Sequence, residues 1–382
     1  AISQDVSLSL DDIFSYDYVH PDPKGQKVMA NIVIDALNAK YNSSITQVSY
    51  TDDTSSVNAS HGLEATVKKI AVLGDSLVSG YQQITPTTQG NIIYYFTADG
   101  FGHLLAKQLG LTTGTTGTQD YVYPIAENNG LETDSASVLA RATVSNASNI
   151  NPFHNMGLPR ARVEDLLASS FTGAYYESAA VSPSTLLWKQ VLRGQSVSAV
   201  DQVASLKADL VVVNAGNNDL LIAVSTEQTG PTAAATFETK YEEMITKLRA
   251  NNEDVILVLF KPAKINAAPV FLANDSYQHM DQLFDDTKEG LITTVLSKTL
   301  YGESDSQLNG LVVDAATASM VPTTKETKTL DLTKDYIKLT GILEILTENK
   351  GLESSAPLSD SAWLDASEME EIKTTYEAYC KT

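Results

Sequence analysis

Two short aliphatic runs, Ile70-Ala71-Val72-Leu73 and Leu210-Val211-Val212-Val213, each stop abruptly at a polar loop containing glycine. Such a run bounded by turn residues reads as a strand buried on both faces, as in a parallel sheet covered by helices. Open sheets of that kind bind ligands at the carboxyl ends of their strands. The first run delivers Gly74-Asp75-Ser76-Leu77, so Ser76 emerges at the carboxyl end of its strand. A helix beginning at Leu77 would aim free N–H groups and a positive dipole end at the serine, favouring an anion formed beside it. The second run delivers Gly216-Asn217-Asn218-Asp219, a junction of the same design.

Further along, Phe237, Tyr241, Met244, Ile245 and Leu248 recur at helical spacing, followed by apolar runs at 254–260 and 311–314. Alternating strands and amphipathic helices predict a doubly wound α/β fold. At 382 residues the chain can bury a large core, and one elaborated domain, 1–382, is expected. Lys and Arg number 26 against 47 Asp and Glu, and the net charge of −21 argues against nucleic acid or an anionic membrane surface as a partner. No apolar run has transmembrane length, and the first residues lack a leader pattern, so a soluble chain is expected. The single cysteine, Cys380, excludes an internal disulfide and a Cys-based zinc site. Neither a metal cluster, a phosphate loop nor a dinucleotide fingerprint is present, so no cofactor is expected.

GDSL at 74–77 and a later GxND at 216–219, each after an apolar strand, resemble the blocks of the SGNH (GDSL) hydrolase family. The resemblance implies a flavodoxin-like three-layer α/β/α fold with a central parallel sheet. It also implies a serine ester hydrolase in which Ser76 is the nucleophile and the Asn218 amide donates to the oxyanion. An amide N–H suits that role because it carries no proton that titrates near neutrality. The segment 150–167, INPFHNMGLPRARVEDLL, matches the family's second block, with Arg160 where a glycine N–H normally enters the oxyanion hole. The backbone donor survives that change, and the Ser76 N–H is the remaining donor. The sequence lacks the second glycine of a GxSxG elbow, which argues against the common α/β-hydrolase fold.

The family's DxxHP motif, normally placed before its last helix, is matched near the start of this chain by Asp17, His20 and Pro21. The resemblance makes His20 the general base and Asp17 the carboxylate that orients it. An apolar stripe of Val28, Met29, Ile32, Val33, Ala36 and Leu37 follows and predicts a helix packed on the sheet. The consequence is a circularly permuted order, histidine before serine. A tail from a preceding repeat and a domain-swapped dimer are two other arrangements that give the same site. His61, His103 and His279 lack the DxxH context, and no other DxxH motif appears.

In this reading 1–45 carries the DxxH block and its helix, 46–68 is a polar linker, and 84–150 and 320–382 are elaborations. Tyr94, Phe153 and His154 are candidates to wall a substrate pocket, with packing in the core as the other reading. The expected substrate is an ester-bearing small molecule, a lipid or an acylated carbohydrate, and the expected compartment is extracellular or periplasmic. A non-catalytic carbohydrate- or lipid-binding protein on the same scaffold is the rival. The two differ in whether Ser76, His20 and Asp17 come within hydrogen-bond reach.

Overall fold

The first aliphatic run forms β1 (Ile70–Gly74), and its alternate side chains set the two faces of a parallel sheet. The computed structural model describes residues 20–50, 57–87, 90–94, 98–115, 119–127, 130–132, 143–148, 151–169, 183–193, 196–225, 231–263, 336–337 and 363–381. The main sheet adds β2 (Asn155–Gly157), β3 (Leu210–Asn214) and β4 (Ile256–Leu259), all parallel, in the order β2-β1-β3-β4. This flavodoxin-like order places a topological switch between β1 and β3, where the chain changes its direction of travel across the sheet. The register runs from Ile70 opposite Leu210 to Gly74 opposite Asn214, so β1 and β3 end level.

Ile70, Val72, Leu210 and Val212 face a core shared with α1 (Pro23–Tyr41) and α2 (Phe101–Gln108). Ala30, Val33, Ile34 and Leu37 of α1 and Phe101, Leu105 and Ala106 of α2 are almost wholly buried there. The stripe of α1 is rotated from the sequence expectation: Ala36 is exposed and Ile32 half-buried, whereas Ala30 and Ile34 turn inward. The i, i+3, i+4, i+7 set from Ala30 to Leu37 makes a narrower seam than the expected one. By alternation Ala71, Leu73, Val211 and Val213 face the opposite side and are equally buried. The helix α3 (Ala199–Ser205), with Val200 and Val203 buried, contacts β1.

The 46–68 segment is more than a linker, since Val48, Leu63 and Val67 enter the α1 core. Asn31 clamps it through both ends of its side-chain amide, donating to the Val48 carbonyl at 3.0 Å and accepting the Val48 N–H at 2.7 Å. Three strands, Gln82–Thr87, Gly90–Tyr94 and Gly130–Glu132, form an antiparallel sheet that starts just before the 84–150 segment. The expected strand at 311–314 lies outside the described residues.

The chain divides into two compact units, one of Ala1–Ala215 with Thr239–Lys261 and one of Gly216–Glu238 with Pro262–Thr382. The second holds α4 (Asn217–Ser225) and α6 (Ala366–Tyr379), and the Phe237 and Tyr379 rings stack there at 3.8 Å. The helix α5 (Ala234–Ala250) buries Phe237, Tyr241, Met244 and Leu248, the stripe expected from sequence apart from the half-buried Ile245.

His103 and His154 are buried near Tyr121, with ring centroids 6.4 and 6.0 Å from it. Burial, helped by the nearby Lys107 charge, holds the His103 imidazole down to about 4. Burial, helped by Lys69, does the same to His154. In the unfolded chain both titrate near 6.5. Between about pH 6.5 and 4 the unfolded state therefore binds more protons, and stability falls as pH falls through that window. Each histidine should cost up to roughly 3 kcal/mol by the bottom of the window. Because neither His103 ring nitrogen has a hydrogen-bond partner, His103→Phe should preserve the fold and reduce the loss of urea stability between pH 7 and 4.5. Equal loss in the variant and the parent would contradict this assignment.

Candidate active site

The turn after β1 is built to hold one serine at the carboxyl end of a central strand. Gly74 cannot carry a side chain, because a Cβ there would lie 1.9 Å from the Asn214 carbonyl oxygen on the neighbouring strand. Asp75 is buried, and its carboxylate accepts the Leu77 N–H at 3.0 Å. The Asp75 carbonyl accepts the Ser79 N–H at 3.0 Å, and the Ser79 hydroxyl donates back to the Ser76 carbonyl at 2.8 Å. The expected helix at Leu77 does not form; residues 76–80 make a turn. Gly80 has φ +68°, and the Tyr81 and Gly80 N–H groups close back on the Ser76 and Leu77 carbonyls. That pair of bonds is a helix-terminating cap, applied here after a single turn. Ser76 therefore gains a fixed position, but not the field of a long helix.

His20 reaches the same place from another element. Asp22 caps α1 by accepting the Gly25 N–H at 2.7 Å, and Pro23 opens the helix with its φ already fixed. The Gln26 side chain accepts the Phe101 N–H at 2.9 Å, which ties the start of α1 to the start of α2. His20, two residues before the cap, lies with Nε2 2.8 Å from the Ser76 hydroxyl oxygen. With the ring proton on Nδ1, Nε2 accepts the serine hydroxyl hydrogen. The His20 ring also packs against Tyr81, centroid to centroid 4.1 Å with a 42° tilt. Asp17 lies outside the described residues.

Beyond β2 the chain runs beside this turn, and the Leu158 N–H donates to the Gly74 carbonyl at 2.8 Å. Arg160 is exposed and has φ +66°, the left-handed conformation that glycine adopts without cost. Glycine is the residue that the block resemblance implies at this position, and the backbone here has a shape that suits glycine under an arginine side chain.

Two candidate pocket residues belong instead to the core. Phe153 and His154 are buried, and His154 Nδ1 accepts the Val122 N–H at 3.0 Å. Both side chains therefore lie in the interior, in keeping with the packing reading. Tyr94 ends its strand, but its side chain is outside the described residues. Of the other histidines, His61 is buried and lies 3.3 Å from the Leu109 carbonyl, His103 is the core residue already described, and His279 is outside the described residues.

In the second unit, Asn217 opens α4 with its side-chain oxygen accepting the Ala263 N–H at 2.8 Å. Asn217 thus serves the backbone, and the half-buried Asn218 next to it occupies the first turn. Among the described residues, no group of three or more His, Cys, Asp or Glu could hold a metal ion, and no helix is long and apolar enough to cross a membrane.

Sequence reasoning passed over Asp75, Gly80 and Tyr81. The signal for them was the Gly-Tyr pair four and five residues after Ser76, a helix-stop followed by a large aromatic. A family model described as GDSL-like Lipase/Acylhydrolase matches residues 70–288, more than half of the chain, beginning at the first residue of β1. No curated protein and no solved structure matches the chain.

Proposed function

The chain belongs to the GDSL-like lipase/acylhydrolase family, with the SGNH hydrolase fold, and we propose that it hydrolyses carboxylic esters through a Ser76 nucleophile. The observation that carries this reading is the 2.8 Å approach of His20 Nε2 to the Ser76 hydroxyl. A module that only binds carbohydrate or lipid has no need of that geometry.

In this mechanism His20 takes the hydroxyl proton as Ser76 Oγ attacks the ester carbonyl. The tetrahedral oxyanion is assigned the N–H groups of Ser76 and Arg160. Collapse breaks the bond to the alcohol, which leaves with the proton returned by His20. Water, deprotonated by His20 in turn, attacks the acyl-enzyme and releases the acid. Asp17 is assigned the Nδ1 side of the ring, where a carboxylate steadies the imidazolium.

In this reading the histidine block precedes the serine block, as a circular permutation within one chain would give, with a swapped dimer or a repeat remnant giving the same site. The substrate is an ester-bearing small molecule, lipid or acylated carbohydrate, and no cofactor takes part. The test is turnover of p-nitrophenyl esters by the purified protein. Hydrolysis with release of both acid and alcohol is expected, and no turnover across acyl chains from acetyl to palmitoyl would reject the proposal.

Arg160→Gly supplies a further prediction. The variant keeps the main-chain donor and relieves the left-handed conformation, so turnover of a neutral short ester should stay within about threefold while stability rises by up to about 1 kcal/mol. Loss of activity without loss of fold would show that the arginine side chain, not its N–H, is what the site uses.

A further inference from the structure

Tyr81 touches both members of the pair that the proposed mechanism depends on. Its N–H donates to the Ser76 carbonyl at 3.1 Å, and its ring meets the His20 ring at 4.1 Å between centroids. Its side chain is buried. Gly80, in the left-handed conformation, turns the chain so that one residue can make both contacts.

His20 precedes α1 and belongs to neither helix nor strand, so contacts to its ring, and not the helix cap, set how the ring is turned. We propose that Tyr81 is a positioning residue for His20, holding the imidazole against Ser76 and favouring its charged form during turnover. An aromatic ring within about 6 Å of a cation attracts it through the negative potential of the ring face. The neutral imidazole feels little of this. Once His20 has taken the Ser76 proton the attraction rises, so the contact is stronger in the charged intermediate than in the resting enzyme. Only such a difference accelerates the chemical step. The phenol oxygen has no part in the argument; the ring does.

The proposal rests on the ester hydrolase reading, and its test separates the two. Tyr81 is replaced by phenylalanine and then by phenylalanine carrying one, two or three ring fluorines, which keep the ring close to its original shape while weakening its negative face. Turnover of p-nitrophenyl acetate is measured for each variant. Tyr81→Phe should keep kcat within about threefold of the parent, and three fluorines should lower kcat a further five- to tenfold in graded steps with KM nearly constant. The same fluorination made together with His20→Ala should change nothing, because the ring acts through the imidazole. Near-equal kcat across the fluorinated series, or an equal fall in the His20→Ala background, overturns the proposal. A parent protein that hydrolyses no ester defeats the underlying reading first, and that result is visible before any variant is made.

Discussion

Ser76→Ala is expected to lower kcat for p-nitrophenyl acetate by about 10⁴-fold or more, with the fold intact. The size of the loss follows from the covalent route: without Oγ there is nothing for His20 to deprotonate, and only the oxyanion donors and substrate binding remain. The fold should survive because the turn is held by other groups. The Asp75 carboxylate, the Ser79 hydroxyl and the N–H groups of Gly80 and Tyr81 fix the backbone around position 76, and none of them uses the Ser76 side chain. Circular dichroism and urea unfolding should therefore match the parent. A folded variant with undiminished turnover would exclude Ser76 as the nucleophile.

His20→Ala is expected to cost nearly as much, because nucleophile and base act as one unit and removing either disables both. The local structure gives this substitution a clean reading. The α1 cap is made by Asp22 and Gly25, and the helix is anchored by Ala30, Val33, Ile34 and Leu37, so the His20 side chain is not what keeps α1 in place. Added imidazole should restore part of the lost rate by entering the space left beside Ser76. Turnover at the parental rate near neutral pH would mean that another group serves as base.

The parts of the fold that the sequence made legible are those with an unbroken aliphatic signal. β1 and β3 are runs of Ile, Val, Ala and Leu ending at polar residues, too short for a helix and flanked by glycine, which favours a buried strand. β2 was invisible because Asn155-Met156-Gly157 has one apolar side chain; it is a strand by virtue of pairing with Val72–Gly74, a tertiary cause. The missing helix at Leu77 was legible in principle. Ser79 offers the Ser76 carbonyl a side-chain donor, and Gly80 supplies the left-handed residue that ends a helix, so local chemistry stops the helix after one turn.

The site divides along the same line. That Ser76 stands at a strand end follows from the short apolar run 70–73 and the glycine that ends it. That His20, 56 residues earlier, lies against it rested on resemblance to a family's motif, because no local rule relates two residues so far apart in the chain. The role of His154 could not be read from its neighbours: Phe153 and Met156 suit a pocket wall as well as a core, and only the hydrogen bond to Val122 and the depth of burial decide between them. The left-handed backbone at Arg160 leaves no trace in an arginine.

The central claim is that Ser76 is a nucleophile activated by His20 of the same chain. It is tested most directly by treating the protein with a fluorophosphonate, which transfers its phosphorus to an activated serine oxygen with loss of fluoride, and locating the adduct by peptide mass spectrometry. The account predicts one adduct per chain, on the peptide containing Ser76, formed at least 100-fold more slowly in His20→Ala. Labelling confined to another serine, or labelling of Ser76 at the same rate without His20, would contradict it.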